Sequence, residues 1–238
     1  MKKSWEISIT VSFIIISIIF YFLFFNFTHD PKQLIISFIS SLAFLPLSVI
    51  VYTVIMNELL KLRDKQKYNQ KINLLIGTFF IEVGTNMLES LIKFDLNFKT
   101  ICNDMHVNQN WTNNDFINLR NKLFKYKFNI DSRRCNLNEL KELLYPKREF
   151  LLSIIENQNI LENEKITNLI FSIFHINEEL SVRLKNTLKD SDYDHLSTDL
   201  GRAYSLLIKE WVEYMMHLKK YYPYLFSYEL NNNKILSI

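Results

Sequence analysis

The chain has 238 residues, of which 48% are hydrophobic, and carries 28 Lys and Arg against 25 Asp and Glu for a formal charge of +3. That balance lacks the one-sided basic excess of a nucleic-acid footprint, so no nucleic-acid partner is expected. Glycine occurs only at Gly77, Gly84 and Gly201, too scattered for a phosphate-cradling loop, and there is no G-x-S-x-G nucleophile elbow.

Two apolar runs open the chain, Ile7 to Phe27 and Leu34 to Met56, separated by the polar stretch Thr28 to Gln33. A helix rising about 1.5 Å per residue needs about 20 apolar residues to cross a hydrocarbon core, and each run reaches that length without a charge. The pattern predicts a transmembrane hairpin over residues 1–56, with the lipid bilayer as its first partner. A cleaved signal peptide is the alternative, since Lys2 and Lys3 precede the first run. That run stays bulky to its end, through Phe24, Phe25 and Phe27, where a cleavage site needs small residues. Trp5 stands at the entry to the first span and Tyr52 near the exit of the second, as interfacial aromatics do.

The flanks set an orientation. Lys2 and Lys3 precede the first span, and Lys61, Arg63, Lys65, Lys67 and Lys71 follow the second, so both termini are expected in the cytoplasm of a multi-pass cell-membrane protein. The basic cluster from Lys61 to Lys71 also lies where anionic headgroups would be. Pro46 falls inside the second span and predicts a bend. Seven serines, Ser8, Ser12, Ser17, Ser37, Ser40, Ser41 and Ser48, are candidates for contacts across the hairpin.

Residues 57–238 read as one all-α cytoplasmic domain hung on a stalk helix that continues from the second span. Leu59, Leu62, Ile72, Ile76, Phe79, Val83, Met87, Leu91 and Phe94 mark its apolar stripe. Gly77 and Gly84, seven residues apart, suggest close approach of another helix there. Asn97 to Asn114 lacks periodicity and reads as a loop. Further helices are predicted over Asp115 to Phe128, Asn136 to Leu144, Lys147 to Gln158 and Asn163 to Leu188, with Pro146 breaking the second from the third.

The last helix has the strongest pattern. Leu196, Leu200, Tyr204, Leu207, Trp211, Tyr214 and Leu218 recur at three- and four-residue spacing from His195 to Tyr221. Asp190, Ser191, Asp192 and Asp194 supply caps and negative charge at its start. Pro223 is expected to end it, and its small residues Gly201 and Ala203 suggest a crossing at the Gly84 region.

The stretch from Glu210 to Ser227, EWVEYMMHLKKYYPYLFS, resembles the tail of an uncharacterised group of small bacterial membrane proteins. Phe79 to Thr85, FFIEVGT, is similar to a second hallmark of that group. The resemblance implies a membrane-anchored helical protein and brings no activity with it.

Chemistry is sought in carboxylate and imidazole pairs. His175 with Glu179 and Glu213 with His217 are each spaced i, i+4, so each presents two ligands on one helical face. With Glu82 they form the candidate metal set. Solvated surface pairs explain the same residues, and ferritin-like sites use Glu-x-x-His instead. His195, Asp199 and Arg202 form a third group, suited to an anion or a proton but more commonly a capping network.

Other motifs fail. Asp190, Asp192 and Asp194 open like a calcium loop, but His195 replaces the glycine and Gly201 the bidentate glutamate. Cys102 and His106 offer half a zinc spacing, with only the distant Cys135 as a second thiolate. No disulfide is expected in a reducing compartment. The sequons at Asn26 and Asn110 should stay unmodified, one at the membrane edge and one in the cytoplasm. No cofactor is implied. Two function classes follow: a membrane-anchored interaction or sensing module that binds a protein partner or forms a homo-oligomer, and a metal-binding bundle acting as an enzyme or redox sensor.

Overall fold

The computed structural model describes residues 2–28 and 30–232, with side chains for 7–28 and 30–231. The side chains of Lys2, Lys3 and Trp5, invoked above as flanking signals, lie outside that set. The protein is all-α, and its only pairing of extended backbone among the described residues is an isolated antiparallel bridge between Asp95 and Ile130. The chain divides into two compact units, Met1–Gln66 and Lys67–Ile238.

In the first unit, α1 spans Lys2–Thr28 and α2 begins at Pro31, extending to Phe79. Asp30 starts α2 by accepting the Lys32 amide at 2.9 Å, and Pro31 takes the first helical position, where a missing N–H costs nothing. The helix continues across Pro46. Apolar windows in both helices have mean hydropathies of 2.6 and 2.5, with no part buried. Tyr21 meets Phe38 edge to face at 6.3 Å between ring centres. Ser41 and Ser48 do not bond across the hairpin. Their hydroxyls donate to the Ser37 and Leu45 carbonyls of their own helix, at 2.9 and 2.8 Å, which satisfies a polar group without a partner helix.

The second unit holds the core. The end of α2 buries Ile72, Ile76 and Phe79, and the chain then makes a π turn over Phe80–Gly84 before α3, Thr85–Ile92. A π turn adds a residue to the helical repeat, so the adjacent Phe79 and Phe80 both bury, at 1% and 0% exposure. Gly84 is the residue this requires: a Cβ there would lie 2.6 Å from Phe80 Cδ1 and 2.9 Å from Phe79 Cε1. Its small size serves its own helix and not the approach of another. Gly201 likewise faces Ile130 Cγ1, at 3.7 Å, and not Gly84.

The loop after α3 is irregular yet buried. Phe98, Ile101, Met105 and Val107 enter the core from two short 3-10 turns, Phe98–Thr100 and Cys102–Met105. Asp95, 2% exposed, anchors the region. Its carboxylate accepts from the Asn97 amide at 3.0 Å, the Asn129 amide at 3.3 Å and the Tyr126 hydroxyl at 2.5 Å. Burial and the adjacent carboxylate push the Tyr126 phenol far above its ordinary value, so it remains the donor.

The predicted helices follow in order with shifted ends, and two short ones that the sequence reading lacks, Gln158–Leu161 and Pro223–Asn232, join them. They are α4, Asn113–Lys125; α5, Leu137–Leu144; α6, Arg148–Ile155; α7, Gln158–Leu161; α8, Glu164–Arg183; α9, Asp190–Tyr221; and α10, Pro223–Asn232. The α4 start moves upstream because Asp115 accepts from the Thr112 amide and hydroxyl at 2.7 and 2.8 Å, a cap that fixes the first turn. Pro223 does more than end α9. It occupies the first position of α10, the one helical site that proline suits.

The long helix α9 is the spine of this unit. It buries Leu196, Leu200, Tyr204, Leu207, Trp211, Tyr214 and Leu218, and Tyr214 stacks on Phe80 at 4.6 Å with rings 12° apart. Its neighbour α8 buries Ile166, Leu169, Ile170, Ile173, Ile176 and Leu180. A short connection makes the two antiparallel. Lys165 pairs with Glu210, His175 with Asp199 and Arg183 with Asp192 along their seam.

Candidate metal centre

The α8–α9 seam brings together residues that sequence spacing placed in separate pairs. His175 lies roughly two turns before the end of α8 and Asp199 roughly two turns after the start of α9, so the antiparallel hairpin sets them level. His195 precedes Asp199 by one turn on the same face. The Nε2 atoms of His195 and His175 stand 3.1 and 3.4 Å from Asp199 Oδ2. The three ligand atoms all lie within 4.8 Å of one another.

Burial divides the roles. The Asp199 side chain is 8% exposed, while the imidazoles of His175 and His195 are 44% and 46% exposed. Asp199 Oδ2 is buried and receives no hydrogen bond, even though two imidazole nitrogens flank it. A carboxylate oxygen taken from water without such a bond costs free energy comparable to a lost hydrogen bond or more. Either imidazolium charge or a cation would compensate it.

Charged neighbours frame the cluster. Glu179 Oε2 is 3.7 Å from His195 Nε2 and also pairs with Arg183, which bonds Asp192 as well. Asp192 further accepts the Lys189 amide at 2.9 Å. That bond and the Arg183 charge hold its carboxyl below the usual range. Arg202 Nη1 sits 3.8 Å from Asp199 Oδ1. Three carboxylates thus face two guanidiniums, an excess of one negative charge when both imidazoles are neutral. Beside them lies a cleft of about 420 Å³ lined by His175, Asp199, Arg202, Asn168 and Phe171 among others.

The rest of the predicted metal set lies elsewhere. Glu82 bonds Lys147 Nζ at 2.7 Å. Glu213 accepts from Arg120 at 3.0 Å. His217 packs against the rings of Tyr221 and Tyr222, at 4.8 and 5.8 Å between centres, and burial followed by the Lys220 charge lowers its pKa. Of the five, the structure brings His175 and Glu179 to the cluster, and it adds His195 and Asp199, whose spacing alone suits an anion, a proton or, more commonly, a capping network. The signal was present in the six-residue connection, which makes α8 and α9 antiparallel and lets residues equally far from it meet.

Cys102 and Cys135 are half-buried thiols. Cys135 donates to the Lys93 carbonyl at 3.2 Å, and burial pushes its thiol up, which suits packing more than reactivity. Asp190, Asp192 and Asp194 point to Arg133 and Arg183.

Comparison with known proteins gives a family. Residues 68–231 match a family model described as the C-terminal helical domain of the uncharacterized protein MJ1433, and residues 1–60 match its N-terminal helical domain. The chain is also 35% identical to uncharacterized protein MJ1433 of Methanocaldococcus jannaschii over 97% of its own length and 93% of that protein's. That relative is archaeal, and the comparisons lend nothing to the bacterial part of the resemblance drawn above. No solved structure matches.

Proposed function

The chain belongs to the MJ1433 family of two-part helical proteins, and from that premise we propose that it is a membrane-anchored interaction or sensing module. The observation that carries this reading is the apolar surface of the first unit. Windows of α1 and α2 with mean hydropathies of 2.6 and 2.5 have no buried share, although apolar area exposed to water costs about 25 cal/mol per Å². A bilayer removes that cost. A buried core helix would have found protein to cover it, and the second unit buries its own apolar stripes thoroughly.

On this reading both termini are cytoplasmic, and the lysines and arginine from Lys61 to Lys71 meet anionic headgroups. The helical domain then faces the cytoplasm, where it receives a protein partner, another copy of the chain or a small ligand. Cell fractionation tests it. The full chain should stay with membranes through alkaline carbonate and need detergent for release, and a C-terminal tag should resist labelling in intact cells. Recovery in the aqueous fraction without detergent, or labelling of the tag from outside, would overturn the proposal.

A further inference from the structure

We propose that His175, His195 and Asp199 form a binding site for one divalent first-row transition ion, Zn2+ or Fe2+, between α8 and α9. The site goes beyond the anchoring reading and does not depend on it, because every ligand lies in the second unit.

Distance supports it first. Two atoms bonded at about 2.05 Å to one tetrahedral ion stand about 3.3 Å apart. The separations of both imidazole nitrogens from Asp199 Oδ2, 3.1 and 3.4 Å, bracket that value. The second support is the unbonded oxygen. Hydrogen bonds from the imidazoles would explain the proximity, yet Asp199 Oδ2, buried within the seam, receives none. A buried carboxylate oxygen flanked by two imidazole nitrogens, with no well-formed hydrogen bond from either, is a donor set that a cation would complete.

The donor set narrows the ion. Two imidazoles and one carboxylate suit zinc and iron(II) and recur with open positions in catalytic zinc and non-haem iron centres. Calcium and magnesium, which take oxygen ligands, are disfavoured. The cluster's net negative charge from Asp199, Glu179 and Asp192 against Arg183 and Arg202 attracts a cation. Glu179, 3.7 Å from His195 Nε2, can turn from Arg183 to serve as a fourth ligand. Remaining positions open to the 420 Å³ cleft, where the exposed guanidinium of Arg202 favours water or a small anion as the exchangeable ligand.

The test uses the full chain in detergent, stripped with a chelator, dialysed and titrated with Zn2+ by calorimetry and with Co2+ by visible absorption. One equivalent should bind and produce the ligand-field bands of a four- or five-coordinate cobalt site. His195→Ala should weaken Zn2+ at least 100-fold, and His175→Gln, at a half-exposed position that folding tolerates, at least 10-fold. His217→Ala, outside the cluster, should bind like the wild type. Far-UV circular dichroism of each variant separates lost ligation from lost folding. Absence of saturable binding in the folded wild-type chain, or binding unchanged in folded His175→Gln and His195→Ala, would overturn the proposal and leave the cluster as an ion pair. Membrane fractionation, unaffected by any of these variants, reports separately on the anchor.

Discussion

Two imidazole–carboxylate pairs share helix α9 at the same spacing, His195 with Asp199 and Glu213 with His217, and they come to opposite ends. The first faces α8, where His175 meets it and the carboxylate is mostly buried. The second is split: Glu213 turns to Arg120 on α4, and His217 lies on two tyrosine rings. Spacing along one helix places two ligands on a face. What the neighbouring helix contributes decides whether they become a site. Trp211, just before the second pair, and Tyr214, within it, point into the core, which leaves Glu213 and His217 at its rim.

Truncating that core should produce the largest effect. Trp211, fully buried, should cost about 3–5 kcal/mol on change to alanine, read as a fall in the denaturation midpoint of the full chain in detergent. A midpoint that hardly moves would contradict the placement of Trp211 in the core.

Metal linkage comes next. At 100 times its dissociation constant, Zn2+ should stabilise the wild type by about 2.7 kcal/mol. The same addition should shift His195→Ala by no more than about 0.4 kcal/mol and should shift His217→Ala fully. Equal shifts in both variants would erase the contrast.

Smaller again is Glu213→Ala. Its partner Arg120 is partly exposed, and such a pair contributes about 0–1 kcal/mol, diminishing as salt is raised. A loss much above that range would mean that the second pair also carries a structural duty.

The smallest effect concerns pH. Burial lowers the pKa of His217, so the unfolded chain takes up a proton before the folded one does. Stability from this residue is present above the ordinary imidazole value of about 6.5 and is lost as pH falls through the window below it. His217→Gln should flatten that part of the stability profile. An unchanged profile would place His217 in water.

Periodicity made the helices legible. The α9 stripe from Leu196 to Leu218 is buried along its length, and the paired apolar runs at the start emerge as two long helices. Chain segments whose burial depends on distant partners were not legible. Phe98, Ile101 and Met105 recur three and four residues apart, but the asparagines among them hide the spacing, and they are buried in a loop that Asp95 ties to Tyr126 and Asn129. The π turn shows in the sequence merely as Phe79-Phe80 four residues ahead of Gly84, a combination with no period of its own. Pro223 was legible as a stop, while its second duty as the start of α10 depends on Phe226 reaching the core, where it is 3% exposed.

The candidate site was half legible. His175 and Glu179 stood out by spacing, as did His195 and Asp199, but the two groups join only through the register of α8 on α9. Single-helix patterns carry no term for that register. Glu213 and His217 matched the same spacing and Glu82 was added singly, yet all three meet other partners: Lys147 for Glu82, Arg120 for Glu213 and the Tyr221 ring for His217.

X-ray absorption on the zinc-loaded full chain addresses the seam most directly. Two imidazoles and oxygen should surround the ion at about 2.0–2.1 Å, with no sulfur. A zinc–sulfur distance of about 2.3 Å would place the ion on Cys102 or Cys135 and contradict the assignment to His175, His195 and Asp199.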